Sequence, residues 1–185
     1  MTDLIEKISL FLYKSRDYRE TEELKCFLRN IKANRDPFFL TETEFHQIAL
    51  WKLGNQFNRN KHNLDNNITS CYKLTTTAAF SITESDDYSC ATQLKINILT
   101  TLHGVGIPVA SAALALVEPE RYCVIDFRGW RQLFQGGNNL EKKKSFNIDD
   151  YIKYLDEIRR IAVQLKSIPQ EVDLAIWELD LRENP

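Results

Sequence analysis

The chain has 185 residues and a formal net charge of −2, with 43% hydrophobic and 27% charged residues. This length buries a core without disulfides or a structural metal, and the balance is that of a globular protein rather than a disordered one. Only 6 glycines and 5 prolines leave too few turn residues for a many-stranded β fold, so the composition points to helix. The pI of about 6.0 is low for a nucleic-acid binder, so any such contact must be local. The four cysteines, Cys26, Cys71, Cys90 and Cys123, are too far apart for a Cys-x-x-Cys metal site. They read as free thiols, with no metal site expected.

In chain order, Met1 to Glu6 reads as the start of an amphipathic helix rather than a secretory signal. Leu4, Ile5, Ile8, Phe11 and Leu12 recur at helical spacing, as do Leu24, Phe27, Leu28 and Ile31. Thr41 with Glu44 predicts a capping box, and the helix behind it carries Phe45, Ile48 and Ala49 as far as Gly54. Asn55 to Asn67 holds six asparagines together with Arg59, Lys61 and His62 and predicts a polar loop. Ile68 to Ile82 predicts a helix despite Thr75-Thr76-Thr77, with a break at Ser85-Asp86-Asp87.

Leu94, Ile98, Leu99 and Leu102 mark the next helix. His103-Gly104-Val105-Gly106 is a tight turn, and Pro108 suits the first turn of the helix that runs to about Val117. A short apolar run, Tyr122 to Ile125, leads to Asp126, which can cap a helix through about Phe134. Gly136-Gly137-Asn138-Asn139 predicts a turn and Lys142-Lys143-Lys144 a solvated basic run. Ile148 to Leu165 is a long amphipathic helix, and Ser167 with Gln170 predicts a second capping box before the last helix. No apolar run reaches the roughly 18 residues of a membrane span. The expectation is one compact all-α, cytosolic, monomeric unit of residues 1–185, with lobes at 36–122 and at 1–35 plus 123–185.

The Gly-Val-Gly turn carries the strongest chemical signal. Two glycines permit a tight reversal and remove side chains that would block close approach. The helix behind them begins with free N–H groups and a positive dipole end, which suits a phosphate. The plainer alternative is a hairpin whose glycines only make the turn. The stretch Leu102-His103-Gly104-Val105-Gly106-Ile107-Pro108-Val109-Ala110-Ser111-Ala112 resembles the hairpin of the helix-hairpin-helix DNA glycosylases. In that family an apolar run and a catalytic Asp follow about 20 residues after the hairpin, and Val124-Ile125-Asp126-Phe127-Arg128-Gly129-Trp130-Arg131 is similar to that segment. The likeness spans Thr92 to Phe134. Trp51-Lys52, and Val172-Asp173 with Trp177, are similar to a largely uncharacterised branch of the superfamily.

The resemblance implies two helical lobes with a cleft between them. It implies duplex DNA held at His103, Gly104, Val105 and Gly106, with Arg128 and Arg131 on phosphates. It places Asp126 at the sugar of an extruded, modified nucleotide, where a carboxylate stabilises oxocarbenium charge and orients water. Trp51, Lys52, Tyr122, Phe127 and Trp130 are candidate walls of the base pocket, though each type is as much at home in a core. Lys95, Arg59 and Lys61 are further phosphate candidates, and His46 a boundary residue. No cofactor is required, and the hairpin carbonyls are a place where a monovalent cation could sit. Pro108 stands where bifunctional members carry a lysine nucleophile, and no cysteine follows Cys123 to hold an iron–sulfur cluster. The expected activity is monofunctional base excision that leaves an abasic site, in repair or against foreign DNA. The alternatives are a non-catalytic DNA-binding module, or a helical interaction protein for which Asp126 is an ordinary N-cap.

Overall fold

The computed structural model describes residues 2–15, 17–83, 88–136, 143 and 145–185. Of these, 73% are helical and none forms a strand. The expected break at Ser85-Asp86-Asp87 lies outside the described residues, as do Gly137-Asn138-Asn139 of the expected turn and Lys142 and Lys144 of the basic run. The chain divides into two compact units, Met1–Cys26 with Leu114–Pro185 and Phe27–Ala113. Both boundaries fall inside helices and lie nine residues before the lobe limits drawn from sequence.

The first unit is organised by α10 (Pro169–Glu183), which packs against α8 (Phe127–Phe134), α9 (Ile148–Leu165) and α1 (Thr2–Ser9). Its apolar positions Val172, Ala175, Ile176 and Leu179 are buried, as the periodicity predicts. Four acidic residues, Glu171, Asp173, Glu178 and Asp180, are buried with them. A buried carboxylate needs a partner, and each has one. Lys25 of α2 (Tyr18–Asn34) reaches Glu171 at 2.6 Å, Arg182 reaches Glu178 at 3.1 Å, and Tyr154 donates to Asp173 at 2.5 Å. Arg131 Nε donates to Asp180 at 2.9 Å.

The expected capping box of Ser167 and Gln170 is not formed. The N-cap is Ile168, without a side-chain bond, because Gln170 turns inward to accept from Lys25 at 2.7 Å. Lys143 is not a free solvated charge either. It pairs with Asp150 at 2.6 Å and lies 4.4 Å above the Trp130 ring.

The second unit holds α3 (Glu42–Leu53), α4 (Phe57–Leu64), α5 (Thr69–Ser81), α6 (Tyr88–Leu99) and the start of α7 (Ile107–Val117). The capping box of Thr41 and Glu44 forms as predicted. Arg35 grips the Glu44 carboxylate with both terminal nitrogens, at 2.7 and 2.9 Å. The Asn-rich segment is not a loop. Gly54–Gln56 makes a 3-10 turn and Phe57–Leu64 a helix. Phe57 and Leu64 lie seven residues apart on one face and are both buried. That anchorage outweighs the local preference of asparagine for turns. Lys95, expected at phosphate, is instead buried in α6, with its ammonium 5.9 Å from the Phe80 ring centre.

Candidate functional site

The hairpin lies wholly in the second unit. α6 ends at Leu99, Val105 N donates to Leu102 O at 3.1 Å, and Gly106 O accepts from Val109 and Ala110 at the first turn of α7. The two glycines do different work. Gly104 has φ +78°, and a Cβ there would meet Asn63 Cβ at 2.9 Å and Leu64 N at 3.1 Å. Conformation and space both require glycine. Gly106 has no such φ, and its Cβ would meet only Pro108 Cδ at 3.8 Å. The second glycine therefore faces open space and leaves the backbone bare.

The asparagines of the preceding segment hold this turn from behind. Asn60 Nδ2 donates to Gly104 O at 2.7 Å. The Asn67 amide engages both backbone groups of His103, accepting from its N–H at 2.8 Å and donating to its carbonyl at 3.0 Å. Sequence reading missed both residues as site residues; the density of asparagine beside a glycine turn was the available signal. The amides of Gly106 and Ile107 donate to nothing among the described residues. They border an open hollow of about 360 Å³ lined by Leu53, Gln56, Arg59 and Asn60 together with Gly104, Gly106, Pro108 and Val109. Arg59 is exposed there and makes no ion pair among the described residues. Trp51 and Lys52 stand half-buried in the last turn of α3 and do not line this hollow.

Compared with known protein families, curated proteins and solved structures, the chain has no match.

Asp126 belongs to the first unit. It is half-buried with an extended backbone, and its Oδ1 accepts the Gly129 N–H at 2.7 Å, as an N-cap should. The run before it, Tyr122 to Ile125, is buried but extended, so its own backbone needs partners. Tyr151 donates to Cys123 O at 3.1 Å, and Asp173 Oδ2 accepts from Val124 N at 3.0 Å. The other Asp173 oxygen takes the Tyr154 hydroxyl, which sits where a Cβ on Gly129 would be. Gly129 is thus required by Tyr154, and α9 and α10 together fix where Asp126 emerges. Burial, with Asp173 nearby, pushes the Cys123 thiol and the Tyr154 phenol well above their ordinary values. Cys123 is therefore no nucleophile near neutral pH.

The other expected site residues of this unit are committed elsewhere. Arg131 and Arg128 converge on Asp180, and Arg128 also donates to Asn184 O at 3.0 Å. Their charge balances a buried acid rather than facing a ligand. Tyr122 is fully buried and Trp130 nearly so; Trp130 stacks on Phe134 at 4.4 Å and lies 5.6 Å from Phe146. Both are core side chains rather than pocket walls. Phe127 alone of this group is widely exposed, against Phe146 at 4.8 Å.

Proposed function

We propose that this chain binds duplex DNA through the His103–Gly106 hairpin and acts as a monofunctional DNA N-glycosylase, with Asp126 at the sugar of an extruded modified nucleotide. The observation that carries the DNA part is the hairpin. Gly106 leaves two amides, undonated among the described residues, open at the start of α7, beside Arg59, which makes no ion pair among those residues. A phosphate there would accept from the backbone and from a guanidinium, contacts that carry no sequence information but fix register. Arg59 takes the place in this scheme that the sequence had given to Arg128 and Arg131.

In the reaction the glycosidic C–N bond breaks and the base departs with the bond's electrons, taking up a proton. Water adds to the sugar carbon and gives up a proton in turn. Asp126 would stabilise the cationic sugar and orient that water. Pro108 offers no amine, so the scheme contains no Schiff base and ends at the abasic site. A monovalent cation is not needed to hold the turn, since the carbonyls of His103 and Gly104 already accept from Asn67 and Asn60.

One observation favours a second reading, a DNA-binding module without catalysis: one oxygen of Asp126 is engaged as an N-cap. The deciding experiment incubates the protein with duplexes bearing oxidised, alkylated, deaminated or bulky modified bases and reveals abasic sites with alkali. Base release supports the glycosylase. Tight duplex binding without release from any of these substrates supports the module.

A further inference from the structure

We propose that Glu42, His46 and Asp65 form a binding site for a first-row divalent transition ion, zinc above all. This inference stands apart from the DNA reading. Glu42 and His46 lie four residues apart on α3 and so share a face. Asp65 is the C-cap of α4. One ligand atom from each of the three lies within 4.8 Å of the others. Ligand atoms of a tetrahedral zinc site stand about 3.3 Å apart, given bonds of about 2.0–2.1 Å. The gap closes by side-chain adjustment, because Asp65 is exposed and the other two are half-buried.

Hydrogen bonds from the surroundings commit one ligand atom of His46 and one of Glu42 and leave the other of each without a partner among the described residues. Tyr72 has one hydroxyl proton and donates it to Leu64 O at 2.8 Å. Its oxygen lies 3.0 Å from His46 Nε2 and is therefore the acceptor there. His46 Nε2 then carries the hydrogen, and Nδ1 keeps its lone pair for a metal. A hydrogen bond that fixes the tautomer from behind is the usual partner of a metal-binding histidine. Glu42 is held in the same manner: Thr69 donates to Oε2 at 2.7 Å and leaves Oε1 for the ion. One imidazole and two carboxylates suit zinc and its neighbours better than calcium or magnesium, which prefer oxygen alone. Three protein ligands leave one position for water.

Lys61 is the competitor. Its ammonium lies 2.7 and 2.6 Å from the two Asp65 oxygens, and both side chains are about half exposed. A surface pair of this kind holds weakly and yields to a dication. An ion here would tie α3 to the end of α4, two residues before the Asn67 that grips the hairpin.

The test is calorimetric titration of the full-length reduced protein with zinc, with cobalt as spectroscopic probe. We expect one equivalent bound. His46→Gln, which keeps an N–H for Tyr72, and Asp65→Asn should each weaken binding at least tenfold. Lys61→Met should tighten it several-fold. The cobalt form should lack thiolate charge-transfer bands. Absence of stoichiometric binding, binding indifferent to His46→Gln and Asp65→Asn, or a thiolate band would overturn the site. If either ligand variant fails to fold, Lys61→Met decides alone, since it leaves every ligand in place: tighter binding supports the site, and unchanged or weaker binding overturns it.

Discussion

Gly104 and Gly106 stand two residues apart in one turn, yet alanine should act oppositely at the two positions. At Gly104 an alanine would keep φ near +78°, which costs an L-residue about 1–2 kcal/mol. Its Cβ would also press on Asn63 Cβ at 2.9 Å and Leu64 N at 3.1 Å. The second contact is helix backbone, which cannot swing aside, so overpacking adds roughly 1–3 kcal/mol. Together they predict a loss of about 2–5 kcal/mol in the stability of Gly104→Ala. At Gly106 neither term applies, and Gly106→Ala should stay within about 0.5 kcal/mol of the parent or gain slightly from a stiffer unfolded chain. Urea unfolding of both variants, followed by far-UV dichroism, measures this. Duplex affinity by fluorescence anisotropy is then read on Gly106→Leu, where folding is intact and the bare amides are covered. An unchanged midpoint for Gly104→Ala would refute the packing argument. Unchanged affinity for Gly106→Leu would remove the hairpin from the interface.

Asp126→Asn keeps an N-cap of equal quality but loses the charge. It should fold and bind DNA as before, while base release falls on the order of 10²–10³-fold; retained activity would assign Asp126 to capping alone. Borohydride added during turnover should trap no protein–DNA adduct, since Pro108 has no amine, and strands should break only after alkali or heat. Burial opposes the charge on Asp180, but Arg131, Gln132 and Arg128 overcome it and hold the carboxyl below its ordinary value. Its contribution to stability is therefore complete above the unfolded value of about 3.9 and is lost as pH falls through the lower folded value. Asp180→Asn should cost roughly 3–5 kcal/mol at pH 7 by leaving two arginines unbalanced, and that cost should shrink in urea titrations carried below pH 4. A pH-independent difference would sink the ion-pair account.

Features set by neighbours along the chain are legible in the sequence itself. The capping box of Thr41 and Glu44, the N-cap at Asp126 and the stop at Gly54 each involve residues within a turn of one another. The helix over Thr69–Ser81 is legible too, because Leu74, Ala78 and Ala79 outweigh three threonines. What distant packing decides is not legible. Asparagine alone signals a turn, and only the burial of Phe57 and Leu64 makes a helix of its segment. Ser167 and Gln170 have the spacing of a capping box, but Lys25, far away in the chain, takes the glutamine. Arg128 and Arg131 look like phosphate ligands until Asp180 is seen between them. The Asn67 grip on His103 joins residues 36 apart, and no local pattern encodes it.

The acids buried along α10 also change what the isoelectric point says about partners. Among the described residues four carboxylates, Glu171, Asp173, Glu178 and Asp180, are shielded from solvent, against two ammonium groups, Lys25 and Lys95. The buried acidic excess among the described residues is thus two. Burial does not remove these charges from the distant field, which follows the net charge wherever it sits. It does place acids away from the surface, so the potential at any one patch is set chiefly by the groups exposed there. Arg59, exposed beside the hairpin and making no ion pair among the described residues, supplies such a local positive charge.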